Sequence, residues 1–237
     1  MVFPVVARST RLRLRQRWAR KLLAMLDVQV NPLGSMPDTA CLIVANHVSW
    51  LDIYALSALC PTGFVAKDEV RRWPVIGWLA SRNDTIFLGR DRRGAAHAMA
   101  RQLAECLEQG QVITVFPEGT TTEGDHVLPF HAALLEAGLL ACVPVQPVAL
   151  RYRTRDGRPS RAPAYCGDTT LLQSFWAVCR EPGLVAEIVI LPQLASTGRT
   201  RHALAREAHA AIASALGVEA VHRRPVPERI GDEAPLH

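Results

Sequence analysis

The sequence predicts a layered α/β domain. Short apolar runs of strand length recur along the chain, segments with helical periodicity fall between them, and the two kinds alternate. The strand-length runs are Cys41 to Ala45, Gly63 to Ala66, Thr85 to Leu88, Val112 to Phe116, Cys142 to Tyr152 and Val185 to Leu191. Between them, helices fit Ser49 to Leu59, Gly94 to Gln109, His131 to Ala137, Thr170 to Arg180 and Thr200 to Leu216. The clearest of these sets Met99, Leu103, Cys106 and Leu107 on one face and stops at Gly110. The Ser49 helix has the form of a capped start, with Ser49 as N-cap and Asp52 at the third position. A turn is expected from Asn31 to Pro37, and no internal repeat is visible.

A chain of 237 residues holds one sizeable core with a short appendage at either end. The expected division is an N-terminal segment 1–34, a main domain 35–216 and a loose tail 217–237 that carries Pro225, Pro227 and mixed charges. Only Lys21 and Lys67 are lysines, so the net charge of +5 is carried by arginine, whose planar fork suits phosphate. Anionic partners follow from that. The six cysteines are scattered without a C-x-x-C pair, which reads as small buried hydrophobes in a reducing compartment and excludes a disulfide framework or a zinc site. The greasiest stretch, Ala132 to Leu150, is interrupted by Glu136, Pro144 and Pro147 and falls short of the roughly 18 to 20 apolar residues that span a bilayer. The N-terminus lacks the pattern of a secretory signal, so a cytoplasmic location is expected.

Seven basic residues lie between Arg8 and Lys21 with no acid before Asp27, while Leu14, Trp18, Leu22 and Leu26 recur every four residues. This pattern describes an amphipathic helix with a basic face. Such a helix can lie among anionic headgroups at about 1 kcal/mol per basic residue near the surface. The plainer reading packs it on the domain with its arginines in solvent.

Two segments carry chemistry. In Asn46-His47-Val48-Ser49-Trp50-Leu51-Asp52, a His and an Asp are separated by four intervening residues across a strand-to-helix turn. A hydroxyl attacking an activated acyl group must lose its proton as the bond forms, and a neutral imidazole is suited to take it. A carboxylate on the other ring nitrogen would fix the tautomer and stabilise the imidazolium. On this segment alone, Asp52 as a simple helix cap and His47 as a turn residue is an equal alternative. The second segment, Val112 to Thr122, is an apolar strand running into Phe116-Pro117-Glu118-Gly119-Thr120-Thr121. A turn of that composition can offer N–H groups and hydroxyls to an anion, or be a plain turn. A carboxylate inside a phosphate cradle would be out of place, so Glu118 is expected to accept from an acceptor hydroxyl or to orient a neighbouring Arg.

Together these segments resemble the glycerolipid and lysophospholipid acyltransferase family. Its signatures are a His-x4-Asp block, a G-x-I-F-x-x-R block, an F-P-E-G-T block and a proline-centred apolar strand. His47 to Asp52, Ile86 to Arg90, Phe116 to Thr120 and Val143-Pro144-Val145 match them in order, with Lys67, Glu69, Pro74 and Gly77 also in family positions. The resemblance covers Leu42 to Leu150. It implies a three-layer α/β domain with a mixed, largely parallel sheet flanked by helices, its active site at the strand ends and the N-terminal helix facing a membrane. It makes His47 the general base, Asp52 its partner, and Arg90, Glu118, Gly119 and Thr120 the acceptor-binding set, with Lys67 a further candidate for phosphate. Acyl-CoA or acyl-carrier protein would serve as donor and a lysophospholipid as acceptor. No metal, tightly held cofactor or covalent acyl-enzyme is implied, and no nucleic acid.

Two departures bear on the acceptor. Asp84 replaces the glycine that opens the second block. Thr121 stands where phosphatidic-acid-forming members often have Arg, which removes a charge-assisted phosphate contact of roughly 1.5 to 3 kcal/mol. The E-G-T-T-T form resembles members that acylate lyso-ornithine lipid or lysophosphatidylcholine, whereas Arg90, Arg92 and Arg93 still favour an anionic headgroup. On the sequence, 1-acylglycerol-3-phosphate leads as acceptor, at the cytoplasmic face of a membrane to which the protein would be peripheral or monotopic. His131 reads as a surface residue, and the remaining histidines show no ligand spacing. Trp50, Trp73 and Trp78 could line an acyl groove or simply pack. A hydrolase is disfavoured because no G-x-S-x-G elbow occurs. A non-catalytic membrane-binding module would explain the charge but not the ordered blocks.

Overall fold

A computed structural model describes residues 8–67, 86–88 and 95–222. Helix α1 (Arg8–Met25) leads into strand β1 (Val28–Leu33), followed by β2 (Leu42–Ala45), α2 (Leu51–Leu59), β3 (Gly63–Lys67) and β4 (Ile86–Leu88). Then come α3 (Ala95–Glu108), β5 (Ile113–Val115), β6 (His126–Val127), a 3-10 turn (Ala132–Leu134) and α4 (Glu136–Leu140). The chain continues through β7 (Val145–Arg153), α5 (Leu171–Arg180), β8 (Leu184–Ile190), α6 (Arg201–Leu216) and β9 (Glu219–Ala220).

Seven of these strands form one sheet in the order β1-β8-β7-β2-β5-β3-β4. Every neighbouring pair is parallel except β7 with β8. Parallel strands need long crossovers, which lay helices on both faces and bury the strands on both sides. All four residues of β2 and all three of β5 are accordingly buried, and their sequences are apolar apart from Thr114, whose hydroxyl pairs with that of Thr62. Two cores result. One joins α1, α2 and α5 to a face of the sheet through Leu23, Leu51, Leu56, Val178 and Ile43. The other joins α3, α4 and α6 to the opposite face through Leu103, Leu107, Ala137, Leu204 and Ile212. The domain is thus a three-layer α/β sandwich with a mixed, largely parallel sheet.

Helix α1 divides its residues between two jobs. Ala19, Leu23 and Leu26 are buried against the core, whereas Leu14, Trp18 and Met25 are exposed. The stripe expected from Leu14 to Leu26 is therefore split, because the helix turns a different edge to α2 than a four-residue repeat implies. Its polar side chains also close the end of α2. Gln16 Nε2 donates to the carbonyls of Ala58 and Leu59 at 3.1 and 3.0 Å, Arg20 Nε donates to Ala58 O at 3.0 Å, and Arg15 donates to Thr62 O at 3.0 Å. The last carbonyls of a helix lack intrahelical partners and carry the negative end of its dipole, so guanidinium groups suit them.

Four expectations are corrected. The turn placed from Asn31 to Pro37 hid strand β1, which pairs with β8 from Val28↔Leu184 to Leu33↔Val189. Its Asn31 and Pro32 disguised it, and Pro is admissible because β1 is an edge strand with one neighbour. The tail after Gly217 is held at its start, where β9 pairs with β6 and Val221 N–H donates to Val127 O at 3.0 Å. The helix expected at His131 to Ala137 is instead a 3-10 turn followed by α4. The strand expected from Cys142 starts at Val145, since Cys142 sits at φ 52° in the turn that ends α4. Elsewhere, local rules hold: Thr170 and Gln173 form a capping box on α5, and α6 runs from N-cap Thr200 to Gly217 at φ 69°.

If α1 is part of the domain, Leu23→Ala should lower the unfolding free energy by about 2 to 5 kcal/mol. Leu14→Ala, on the exposed side, should change it by no more than about 0.5 kcal/mol, with both read from urea denaturation.

Candidate active site

β2 and β5 are parallel neighbours, so the segments after their C-terminal ends emerge side by side. That topology brings the His47 turn to the Phe116–Thr122 turn across 70 residues of sequence. The exit from β2 is managed by Asn46, which is buried. Its side-chain amide donates to Leu150 O at 2.9 Å and its Oδ1 accepts from Leu150 N at 2.8 Å. The side chain thereby continues the β2–β7 ladder while the backbone turns away, and neither polar group of Leu150 is left unpaired.

His47 follows, and its Nδ1 lies 2.8 Å from Asp52 Oδ2. The same oxygen accepts from the backbone N–H groups of Val48 and Ser49 at 2.8 and 2.9 Å. Oδ1 accepts from the Tyr152 hydroxyl at 2.7 Å. Asp52 thus ties down the turn ahead of its own helix and holds the histidine at once. Ser49 does not act as the formal N-cap, because α2 begins at Leu51 after Trp50 in helical geometry; the Ser49 hydroxyl accepts from Leu51 N–H at 3.2 Å instead. Asp52 is fully buried, whereas the His47 ring keeps 19% of its side-chain surface. A carboxylate can only accept, so Nδ1 carries the proton and the Nε2 lone pair is left for a substrate. Burial, then the charge and hydrogen bond of Asp52, push the Tyr152 phenol well above its ordinary value of 10.0, which keeps it a donor.

Phe116 stacks on the imidazole, with ring centroids 3.9 Å apart and planes 13° apart, and so sets the plane of the ring. The next turn tightens at Gly119, where φ is 71° and the N–H donates to Phe116 O at 3.1 Å. Glu118 is fully buried. Its Oε1 accepts from His47 N–H and its Oε2 from Leu128 N–H, both at 2.8 Å. The expected partners were an acceptor hydroxyl or a neighbouring Arg; these two contacts are to backbone and position the His47 turn. Thr122 N–H donates to His47 O at 2.9 Å, which closes the join. Thr120 is exposed on the turn, and the Thr121 hydroxyl donates to Tyr165 O.

The structure therefore gathers His47, Asp52, Glu118, Gly119 and Thr120 into one place. Lys67 is the last residue of β3. Arg90 lies outside the described residues, as do Trp73, Trp78, Asp84, Arg92 and Arg93. Trp50 packs edge-on against Tyr54 and donates to Ser174 Oγ at 3.0 Å, so its role here is structural. Asn46, Phe116 and Tyr152 were not singled out. Asn46 and Phe116 are in the matched blocks, but Tyr152 is 100 residues from Asp52 and no local pattern marks it. Among the described residues, no cluster of three His, Cys, Asp or Glu side chains is placed to hold a metal ion.

With that fold and that site, the chain belongs to the acyltransferase family, whose profile it matches over residues 27–151. It is an O-acyltransferase by family. Among its relatives is the lyso-ornithine lipid O-acyltransferase of Pseudomonas aeruginosa, 42% identical over 206 residues, which are 87% of this chain and 79% of that one. The 1-acyl-sn-glycerol-3-phosphate acyltransferase of Neisseria meningitidis is 38% identical over 161 residues, 67% of this chain and 63% of that one. The crystal structure of the 1-acyl-sn-glycerophosphate acyltransferase of Thermotoga maritima shares the fold with a TM-score of 0.66 at 23% identity, covering 91% of this chain and 83% of that one.

The Tyr152 hydroxyl is worth roughly 1.5 to 3 kcal/mol as a hydrogen bond to a charged group, so Tyr152→Phe should lose about that much stability at neutral pH. Alkali tests the buried groups. Burial raises the Cys41 and Cys60 thiols from 9.0 to about 12. Above pH 9 the unfolded chain releases those protons while the folded chain keeps them. Stability is therefore intact below pH 9 and falls towards pH 12, by up to about 1.4 kcal/mol per pH unit for each group. Beyond pH 10, Tyr152 adds to the slope, and Tyr152→Phe should flatten it in chemical denaturation across that range.

Proposed function

We propose that the chain transfers a fatty acyl group from a thioester donor, acyl-CoA or acyl-carrier protein, directly to the free hydroxyl of a lyso-lipid. The observation that carries this reading is the His47 ring, held by a buried carboxylate with Nε2 left open. Nε2 takes the proton as the acceptor oxygen attacks the thioester carbonyl. When the carbon–sulfur bond breaks, the imidazolium returns that proton to the leaving thiolate. Asp52 remains ionised throughout, stabilising the imidazolium and holding the tautomer. Glu118 positions the His47 backbone, while Gly119 and Thr120 form the turn against which the acceptor lies. Lys67 and Arg90 are the cations assigned to an anionic headgroup. The scheme uses no metal and no bound cofactor.

For the acceptor, lyso-ornithine lipid is favoured. Relatives of that name from Pseudomonas aeruginosa, Brucella abortus and Rhodobacter capsulatus align over 87%, 82% and 84% of the chain, at 42%, 35% and 36% identity. Thr121, where phosphatidic-acid-forming members often carry Arg, turns its hydroxyl into the protein towards Tyr165 O. The second reading, 1-acylglycerol-3-phosphate, is supported by the Neisseria meningitidis relative and by the run of Arg90, Arg92 and Arg93. Either acceptor is a membrane lipid. Among the described residues no helix is long and apolar enough to cross a bilayer. We assign a peripheral or monotopic position at the cytoplasmic face of a membrane, with the basic α1 against anionic lipid.

Purified protein given labelled acyl-CoA or acyl-carrier protein and a panel of lyso-lipids should acylate lyso-ornithine lipid faster than 1-acylglycerol-3-phosphate. The reverse order would select the second reading, and transfer to none would leave a binding module. His47→Ala should cost about 10² to 10⁴ in turnover.

A further inference from the structure

The outer face of α5 is apolar where a surface helix should be polar. Leu172, Phe175 and Trp176 are exposed at 65%, 37% and 52%, while Ser174 and Val178 face the protein. A shallow groove along this face is lined by Leu172, Trp176 and Ala177 and edged by Arg180. Of the eight large hydrophobic residues exposed among the described residues, six are on α1 and α5, the two helices that share a layer of the sandwich with α2. Those three helices contain a single acid, Asp52, and it is buried; their exposed charges are arginines and Lys21. The opposite layer carries Glu105, Glu108, Glu136 and Glu207 among its basic residues. Unopposed positive charge and most of the apolar exposure thus coincide in one layer.

That side is tied to the candidate active site. Trp18 of α1 packs on Tyr54, Tyr54 on Trp50, and Trp50 Nε1 donates to Ser174 of α5. The segment before α5 is pinned by Tyr165 N–H donating to Val48 O at 3.0 Å, one residue from His47. We infer that α5 is a second membrane footing, which inserts Leu172, Phe175 and Trp176 into the interfacial zone of an anionic bilayer beside His47, with Arg180 at headgroup level. The inference rests on the acyltransfer reading for its choice of a lipid surface over a protein partner. Aromatic and aliphatic residues at i, i+3 and i+4 with flanking cations are what such a surface takes up, and the missing negative charge removes the repulsion that would forbid it.

The full-length Phe175→Ser/Trp176→Ser variant should bind phosphatidylcholine–phosphatidylglycerol vesicles about tenfold or more weakly than wild type in co-sedimentation. It should keep the wild-type rate on a lyso-lipid dispersed in detergent. Trp176→Phe should retain vesicle binding and lose part of the tryptophan quenching caused by brominated lipid. Arg180→Glu should weaken binding to the mixed vesicles and not to phosphatidylcholine alone. Unchanged vesicle binding by the double variant would overturn the footing. So would a wild-type dimer that the double variant splits without loss of vesicle binding, since the face would then be a self-interface. Wild-type protein inactive in detergent would sink the acyltransfer reading instead, and the vesicle comparison would still decide the footing.

Discussion

A single buried carboxylate organises this molecule. Moving Asp52 out of water is tolerable only because four donors meet it: the His47 ring, two backbone amides and the Tyr152 phenol. Those donors come from the β2–α2 turn and from the far end of β7. The arrangement therefore requires β7 to lie beside β2, and that is the neighbour the sheet order gives it. The same contacts that neutralise the cost of burial fix the direction of the imidazole. Stability and chemistry share one set of atoms here, so loosening the fold at this point would also release the ring.

Glu118 repeats the logic one strand over. It too is fully buried, and it too spends its oxygens on backbone N–H groups, one from the His47 turn and one from Leu128. Two carboxylates thus stitch together the loops that leave β2 and β5. The ring between them is clamped by Phe116, which leaves its position set by packing and hydrogen bonds together.

What could be read from the sequence follows from how local the signal is. Strands buried on both faces announce themselves as largely apolar runs, so β2 and β5 were legible within a residue or two, as was β8, which alternates in burial but is apolar apart from Glu187. β1 was not, because an edge strand tolerates Asn31 and Pro32 and so imitates a turn. In the site, His47 and Asp52 were legible because the turn places partners five residues apart. Glu118 was legible as part of the site, whereas its bonds to the amides of His47 and Leu128 were not, since nothing local in the sequence marks a carboxylate bonded to distant backbone. Tyr152 and the Asn46–Leu150 pairing depend on strand adjacency more than a hundred residues away, which no local pattern encodes. The helical repeat in α1 gave the helix but the wrong inner edge, because Gln16, Ala19 and Leu23 were overlooked in favour of larger side chains.

The edge strand β1 has one more effect. Among the described residues no strand lies along its outer side, and such a row of backbone groups is a template on which another chain could build a continuous sheet. Pro32, which pairs in register with Ile188, has no backbone N–H to offer along that strand. A proline at the rim discourages copies of the chain from joining there edge to edge.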